Sequence, residues 1–166
     1  TLWLMLQPPH QTTTLTGTGD FSKVSAGSGH SLALKTDGRL FAAGLNGSGQ
    51  LGDGSVITST SFKQVLTGVQ DILAGTSVSL ALKTDGSLWA AGSGYGSTWT
   101  QILTGVSSIH TTGDKSTFWA IVSGTAYTGT SSSNWAATTY TGIKQITNVT
   151  TGASSGGFSY DSITLM

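Results

Sequence analysis

The sequence predicts an all-β fold made of repeated units, and three observations support this prediction. Among the 166 residues there are 24 Gly, 28 Thr and 24 Ser, while Glu is absent and charged residues make up only 8%. Thr, Val, Trp and Tyr suit a pleated surface, whereas Glu and Lys favour helices. The other two observations are an internal repeat and the regular spacing of Gly-marked turns along it. Together they predict a small β-propeller of about four blades.

The repeat is clearest in residues 24–44 and 72–92, which lie 48 positions apart. Both copies contain Ser-Leu-Ala-Leu-Lys-Thr-Asp-Gly, and an eight-residue match in register is not expected by chance. Weaker copies begin at Ile109 and Ile146. The predicted units are 21–68, 69–105, 106–144, and a split unit made of 1–20 and 145–166. The split unit predicts that the N- and C-terminal segments complete one blade within a single domain, 1–166.

Each unit is expected to contain about four short strands. Residues 31–43 predict a hairpin that turns at Asp37-Gly38, because Asp bonds to turn backbone and Gly accepts positive φ. Period-two alternation places Leu32 and Leu34 on one face. Further strands are predicted at 61–66 and 99–103, and small Ala-Gly pairs mark close backbone approach. The aromatic residues at equivalent blade positions are expected in the core: Trp3, Phe41, Trp89 and Tyr127.

Residues 27–34 and 37–54 resemble a repeat of the regulator of chromosome condensation (RCC1-like) family, and the stretch from Asn46 to Gly52 is the most specific part. The resemblance implies propeller blades with a structural repeat signature at His30, Asp37, Gly38, Gly44, Asn46, Gly49, Gln50, Leu51, Gly52, Asp85, Gly86, Trp89 and Gly92. Family members commonly have seven blades, whereas this chain has material for about four. A compact four-bladed ring, a ring shared by two chains, and an open arc that packs on neighbours are the three alternatives.

The founding member of the family exchanges guanine nucleotide on a small GTPase and binds chromatin. Neither role is expected here, because the sequence offers no candidate for an inserted wedge and no basic tail. Ser/Thr/Gly-rich repeats of this kind in bacteria and their viruses resemble the chain more closely. The resemblance therefore implies a non-enzymatic structural or binding module in a virion (fibre, baseplate or capsid decoration) or at a cell surface. Its partners would be other copies of itself or neighbouring virion or surface proteins.

An alternative function is an extracellular glycan- or receptor-binding propeller. It rests on Tyr95, Trp99 and Trp135, which lie in Gly/Ser/Thr-rich stretches outside the repeated aromatic position. Exposed aromatic rings stack on sugar faces and anchor protein interfaces. Packing between blades is the competing interpretation of these three rings, and it is the one we favour.

The charge balance narrows the range of partners. Seven basic and seven acidic residues give a formal net charge of zero, which does not favour binding to nucleic acid or to an anionic membrane. The absence of Cys excludes disulfides and thiolate metal sites. The apolar stretch 2–6 is too short to span a bilayer, so membrane insertion is not expected.

Four other patterns could indicate chemistry, and we interpret each as structural. Residues 47–52 match G-x-G-x-x-G, but a Ser/Thr-rich loop follows where a phosphate site needs a helix. His30, Ser31 and Asp37 could form a catalytic constellation, but the second copy has Val78 in place of His30, which indicates packing at the blade interior.

The remaining two patterns concern metals. Asn46 and Asp53 lie in an oxygen-rich loop that could suit calcium, although the loop lacks an alternating acidic ladder. His10 and His110 have no metal-ligand spacing to an acid or to another His. We therefore expect no catalytic residue, cofactor or bound metal.

Overall fold

The computed structural model describes the backbone of residues 2–5, 12–15, 20–130, 135–137, 146–151 and 161–165, and the side chains of 20–130 and 135–137. All regular structure in these residues is β-strand, and no helix there has the length and apolar content to cross a membrane. The strands are β1 Leu2–Met5, β2 Thr12–Leu15, β3 Phe21–Ala26, β4 His30–Lys35, β5 Leu40–Gly44, β6 Ser59–Leu66, β7 Val69–Ala74, β8 Val78–Lys83, β9 Leu88–Gly92, β10 Gly96–Leu103, β11 Val106–Thr111, β12 Thr117–Val122, β13 Thr125–Thr130, β14 Ala136–Ala137, β15 Ile146–Thr151 and β16 Asp161–Leu165.

Twelve of these strands form three four-stranded antiparallel sheets, and strands adjacent in sequence are adjacent in each sheet. We call β3–β6 the first blade, β7–β10 the second and β11–β14 the third. The β4–β5 hairpin turns at Gly38, where φ is +82°, and the β8–β9 hairpin turns at Gly86, where φ is +79°. Glycine adopts this left-handed conformation without steric cost. The all-β propeller-type architecture expected from the repeats is confirmed.

The blades stack face to face through two apolar clusters. At the first junction, between the first and second blades, Leu32, Leu34 and Leu40 lie in one cluster with Val69 and Ile72. At the second junction, between the second and third blades, one cluster unites Leu80, Leu82 and Leu88 with Val106 and Ile109. Burying each Leu contributes about 1.5–3 kcal/mol to folding. Both faces of the middle blade are therefore covered along β8 and β9, where almost every residue is buried, whereas the outer strand β10 stays partly exposed.

The first blade leaves part of its other face open. Val24 pairs with Ala33 in β4, as Ile72 pairs with Ala81 and Ile109 with Ala120 in the next two blades. Ile72 is fully buried, whereas Val24 is 37% exposed.

The repeated aromatic position keeps one register in all three blades. Phe41 lies opposite Ala33 and Trp89 opposite Ala81, while Tyr127 lies opposite Ala120. The expectation that these rings belong to the core is wrong, because all three are only half-buried. The side chain of Trp3 lies outside the described residues.

Lysine side chains lie over two of these three rings. The ammonium of Lys83 lies 4.5 Å from the centre of the Trp89 ring, and that of Lys35 lies 5.4 Å from the Phe41 ring. Each of these two rings therefore makes a cation–π contact with the lysine of the preceding strand.

The two end segments form separate two-stranded sheets. β1 pairs with β2, and β15 pairs with β16. Among the described strands no hydrogen-bonded ladder joins the two hairpins, so their union into one blade stays a prediction. The assignment of 1–166 to a single domain also stays a prediction.

Candidate functional site at the blade junctions

His30 forms part of a buried hydrogen-bond relay at the first junction. The hydroxyl of Ser79 in the second blade donates to the carbonyl of Gln50 at 2.6 Å. It therefore accepts a hydrogen bond from Nε2 of His30, 2.8 Å away, and this assigns the proton to Nε2. Burial and the nearby charge of Lys115 lower the pKa of His30 to about 4, so the imidazole is neutral at pH 7. The relay connects the two blades without any exposed reactive group.

The catalytic constellation considered for this region does not assemble. His30 is fully buried and bonded to the next blade, whereas Asp37 lies in the exposed β4–β5 turn. The carboxylate of Asp37 accepts from the backbone and Nε of Arg39, which lowers the pKa of Asp37. Asp85 has the same place in the second blade and accepts from Ser87, which lowers its pKa. Both aspartates act in turns.

Asn46 is the centre of the long loop 45–58 between β5 and β6. It is fully buried, and its Oδ1 accepts the backbone N–H of Leu51 at 2.9 Å. Its Nδ2 lies within 3.0–3.2 Å of Asp53 Oδ1, both oxygens of Ser55 and the Ile57 carbonyl. The amide nitrogen therefore occupies the oxygen cluster that a calcium ion would need. This donor arrangement does not fit the calcium hypothesis.

Asp53 is held in its ionised form within the same loop. Burial opposes ionisation, but hydrogen bonds from Ser55 and Lys63 outweigh it and lower the pKa of Asp53 to about 2. The ion pair with Lys63, 3.1 Å between Nζ and Oδ2, fixes the loop to β6.

Glycines of the signature allow this loop to dock on the second blade. Gly49 has φ of +80°, and a Cβ there would lie 2.6 Å from the Cα of Ser97. Gly52 has φ of +70°, and a Cβ there would overlap the indole of Trp99. Leu51, between them, is fully buried in the first-junction cluster. The segment after Leu51 therefore functions as a connector, and Asp53 bridges to Thr98 of β10 instead of leading into a helix.

The three stray aromatic residues lie at both junctions. Trp99 packs against the first-junction cluster beneath Gly52. Tyr95 donates to the carbonyl of Thr130 at 3.1 Å and accepts from Nε1 of Trp135 at 3.0 Å. The structure thus brings Tyr95 and Trp135 together across the second junction and places Trp99 at the first. All three are half-buried, and a ligand role for them stays a prediction.

A second group of polar side chains lies on β3, β7 and β11, the first strand of each blade. Lys23 of β3 and Asp71 of β7 form an ion pair, and His110 of β11 contacts the hydroxyl of Ser108 at 3.2 Å. Burial lowers the pKa of His110, although the charge of Asp71 opposes the shift. In the described part of the chain no three His, Asp or Glu side chains cluster as metal ligands would. His10 lies outside the described residues.

Sequence reasoning missed a cleft of about 290 Å³ at the second junction. It is lined by Thr76, Ser77, Val78, Ser93, Lys115, Ser116 and Phe118. The signal that could have revealed it is a difference between repeats, since Val78 and Ser93 stand where the first unit has His30 and Leu45.

Known proteins contain repeats and blades similar to these. Residues 21–50 match the regulator of chromosome condensation (RCC1) repeat, which agrees with the resemblance seen in the first unit. No curated protein sequence matches the chain. The solved structure of human WBSCR16 is similar, with a TM-score of 0.62 and 16% identity over 70% of this chain and 34% of that one.

Prp20p from Saccharomyces cerevisiae is also similar, with a TM-score of 0.57 and 22% identity over 65% of this chain and 32% of that one. Yeast RCC1 (Prp20) bound to Kap60 gives a TM-score of 0.55 at 21% identity, over 65% of this chain and 31% of that one. The chain spans about a third of the length of each of these proteins. At these identities the likeness establishes the fold, which is that of RCC1-like propeller blades.

Proposed function

We propose that this chain is a non-enzymatic, protein-binding module that assembles with other copies of itself as part of a virion or of an extracellular or cell surface. The observation that carries the proposal is an apolar patch on the loop 45–58. Leu45, Val56 and Ile57 are 50%, 60% and 71% exposed, and among the described residues only Val24 is a further exposed large hydrophobic side chain. Grouped apolar exposure of this kind is typical of an interaction surface.

The loop holds the patch in a fixed shape. The carbonyl of Ile57 lies 3.2 Å from Nδ2 of Asn46, which brings the Ile57 backbone beside the residue that follows Leu45. The Asp53–Lys63 ion pair anchors the same segment to β6. Because the loop is already ordered, association loses less conformational entropy than it would with a mobile segment.

The similar folds support protein binding in general terms. The Prp20p structure was described with its binding to Gsp1p and histones, and yeast RCC1 was solved bound to Kap60. Those partners belong to those proteins. For this chain the zero net charge favours an uncharged protein surface over nucleic acid, and we do not propose guanine nucleotide exchange.

Light scattering coupled to gel filtration tests the proposal. The wild-type chain should elute as an oligomer, and Val56→Asp and Ile57→Asp should each shift it toward the monomer. Thr58→Asp is the matched control, because it adds the same charge in the same exposed loop and removes no exposed large hydrophobic side chain. A monomeric wild-type chain at high micromolar concentration would contradict self-assembly. A gene position beside tail or capsid genes would support the virion assignment.

A further inference from the structure

We propose that the cleft at the second junction binds a single neutral pyranose unit of a glycan. This inference is independent of the assembly patch, which lies on another loop. It rests on a comparison between the two junctions, on the polar rim of the cleft, and on its apolar floor.

The corresponding space at the first junction is filled. There Leu45 covers Gly29 so closely that a Cβ on this glycine would overlap the leucine side chain. At the second junction the equivalent residues are Ser77 and Ser93. The connection after β5 has 14 residues, 45–58, whereas the connection after β9 has three, 93–95. The second junction thus lacks both the leucine and the loop that close the first.

The floor of the cleft is apolar because a valine and a phenylalanine stand where the first junction has a histidine and a serine. At the first junction, a Cβ on Gly27 would lie 2.6 Å from Cε1 of His30. At the second junction Phe118 reaches Gly75 in the same way, while Val78 occupies the position of His30. Val78 and Phe118 are almost fully buried, so they close the cleft from below and only their outermost atoms reach it.

The rim carries the hydroxyl groups of Thr76, Ser77, Ser93 and Ser116, and hydrogen bonds fix the main chain that bears them. The N–H of Ser93 donates to the Ser77 carbonyl at 2.9 Å, and the N–H of Thr76 donates to the Lys115 carbonyl at 3.3 Å. Asp114 accepts from both the backbone and the hydroxyl of Ser116, at 3.1 and 2.9 Å. The rim is therefore ordered before any ligand arrives.

Lys115 is the only charged residue that lines the cleft among the described residues. Its backbone has φ of +59°, which is uncommon outside glycine. It lies in the connection 112–116, which has five residues, whereas the same connection in the first two blades has three. Its ammonium donates to the carbonyl of Ala26 in the first blade, so one of its hydrogens already has an acceptor outside the rim. A neutral ligand with hydroxyl groups and one apolar face matches this lining, and a pyranose ring has both features.

Amide chemical-shift mapping on the full ¹⁵N-labelled chain tests the proposal. The probes are the methyl glycosides of glucose, mannose, galactose and N-acetylglucosamine at millimolar concentration. At least one should shift the amides of Ser77, Ser93 and Ser116 while leaving those of 56–58, in the loop of the first blade, unchanged. If none shifts them, the proposal is wrong.

Two variants sharpen the result. The double variant Ser77→Gly/Ser93→Leu recreates the Gly29–Leu45 pair of the first junction, and it should weaken binding by about tenfold or more by filling the cleft. Thr76→Val removes one rim hydroxyl and should also weaken binding, whereas Thr98→Val on β10 is the matched control outside the cleft. Wild-type affinity in the double variant, with its remaining amide spectrum intact, would overturn the assignment.

Discussion

Nε2 of His30 in the first blade lies 2.8 Å from the hydroxyl of Ser79 in the second, with both residues fully buried. In the second unit Val78 takes the position of His30, and in the third blade Phe118 takes the position of Ser79. Val78 and Phe118 lie in the same apolar cluster at the second junction. A polar pair at one junction thus corresponds to an apolar pair at the next. The His30 side chain therefore has a structural purpose that can be measured through stability.

His30→Val should destabilise the chain by about 1–3 kcal/mol, because it removes the bond to Ser79 and leaves unfilled space beside Gly27. Urea unfolding monitored by tryptophan fluorescence measures the change. His110→Val, at a half-buried histidine, should cost less. Equal losses at both positions would show that the relay adds nothing specific.

Stability should also depend on pH through His30. Its pKa is lowered to about 4 in the folded chain, from 6.5 when unfolded, so below pH 6.5 the unfolded state binds the proton more readily. The stability is therefore complete above about pH 6.5 and falls by about 3 kcal/mol as the pH approaches 4.

Lys115 is the charge that adds to the effect of burial on His30, and His110 has a lowered pKa that acts in the same direction. The comparison of wild type with His30→Val isolates the contribution of His30, since the variant keeps His110. Unfolding free energies at pH 7, 6, 5 and 4.5 should converge for the two proteins as the pH falls. Parallel curves would contradict the prediction.

Asn46 should be essential to the loop 45–58. Asn46→Ala leaves the buried N–H of Leu51 and the oxygens of Asp53 and Ser55 without this partner, which should cost about 2–4 kcal/mol. Asn46→Asp should cost more at pH 7, because a carboxylate cannot donate and would face the Asp53 carboxylate. Ser48→Ala, at an exposed position of the same loop, serves as the control in thermal unfolding.

Two glycines of this loop separate backbone strain from steric overlap. Gly52 and Gly54 have φ of +70° and +82°, so Ala at either should cost about 1–2 kcal/mol in conformational energy. Only at Gly52 would the new Cβ overlap Trp99, since at Gly54 the nearest atom is 4.0 Å away. Gly52→Ala should therefore be the more destabilising by at least about 1 kcal/mol in urea unfolding. A similar loss in the two variants would argue against tight packing of Trp99.

The repeat made much of the fold predictable. Identical residues 48 positions apart define the hairpin, its turn at Gly38 and the register that places Trp89 opposite Ala81. The partial exposure of Phe41 and Trp89 was not predictable, since a period-two pattern assigns a residue to a face of the strand and does not show how completely that face is covered. The Tyr95–Trp135 contact joins residues 40 positions apart in unrelated segments, so no local pattern encodes it. The cleft arises where side chains are small, and an unfilled space leaves no residue to recognise.

The turns of the hairpins have a consequence for how such a chain can grow. The carbonyl of Gly38 accepts the N–H of Val69, and the carbonyl of Gly86 accepts the N–H of Val106, at 3.0 and 2.9 Å. Each of the first two blades therefore carries, in its own turn, the acceptor that positions the first strand of the next blade. A duplicated unit would include the turn carbonyl that binds the next blade. Gene duplication could therefore lengthen the array by whole blades, and no new contact between blades would have to evolve.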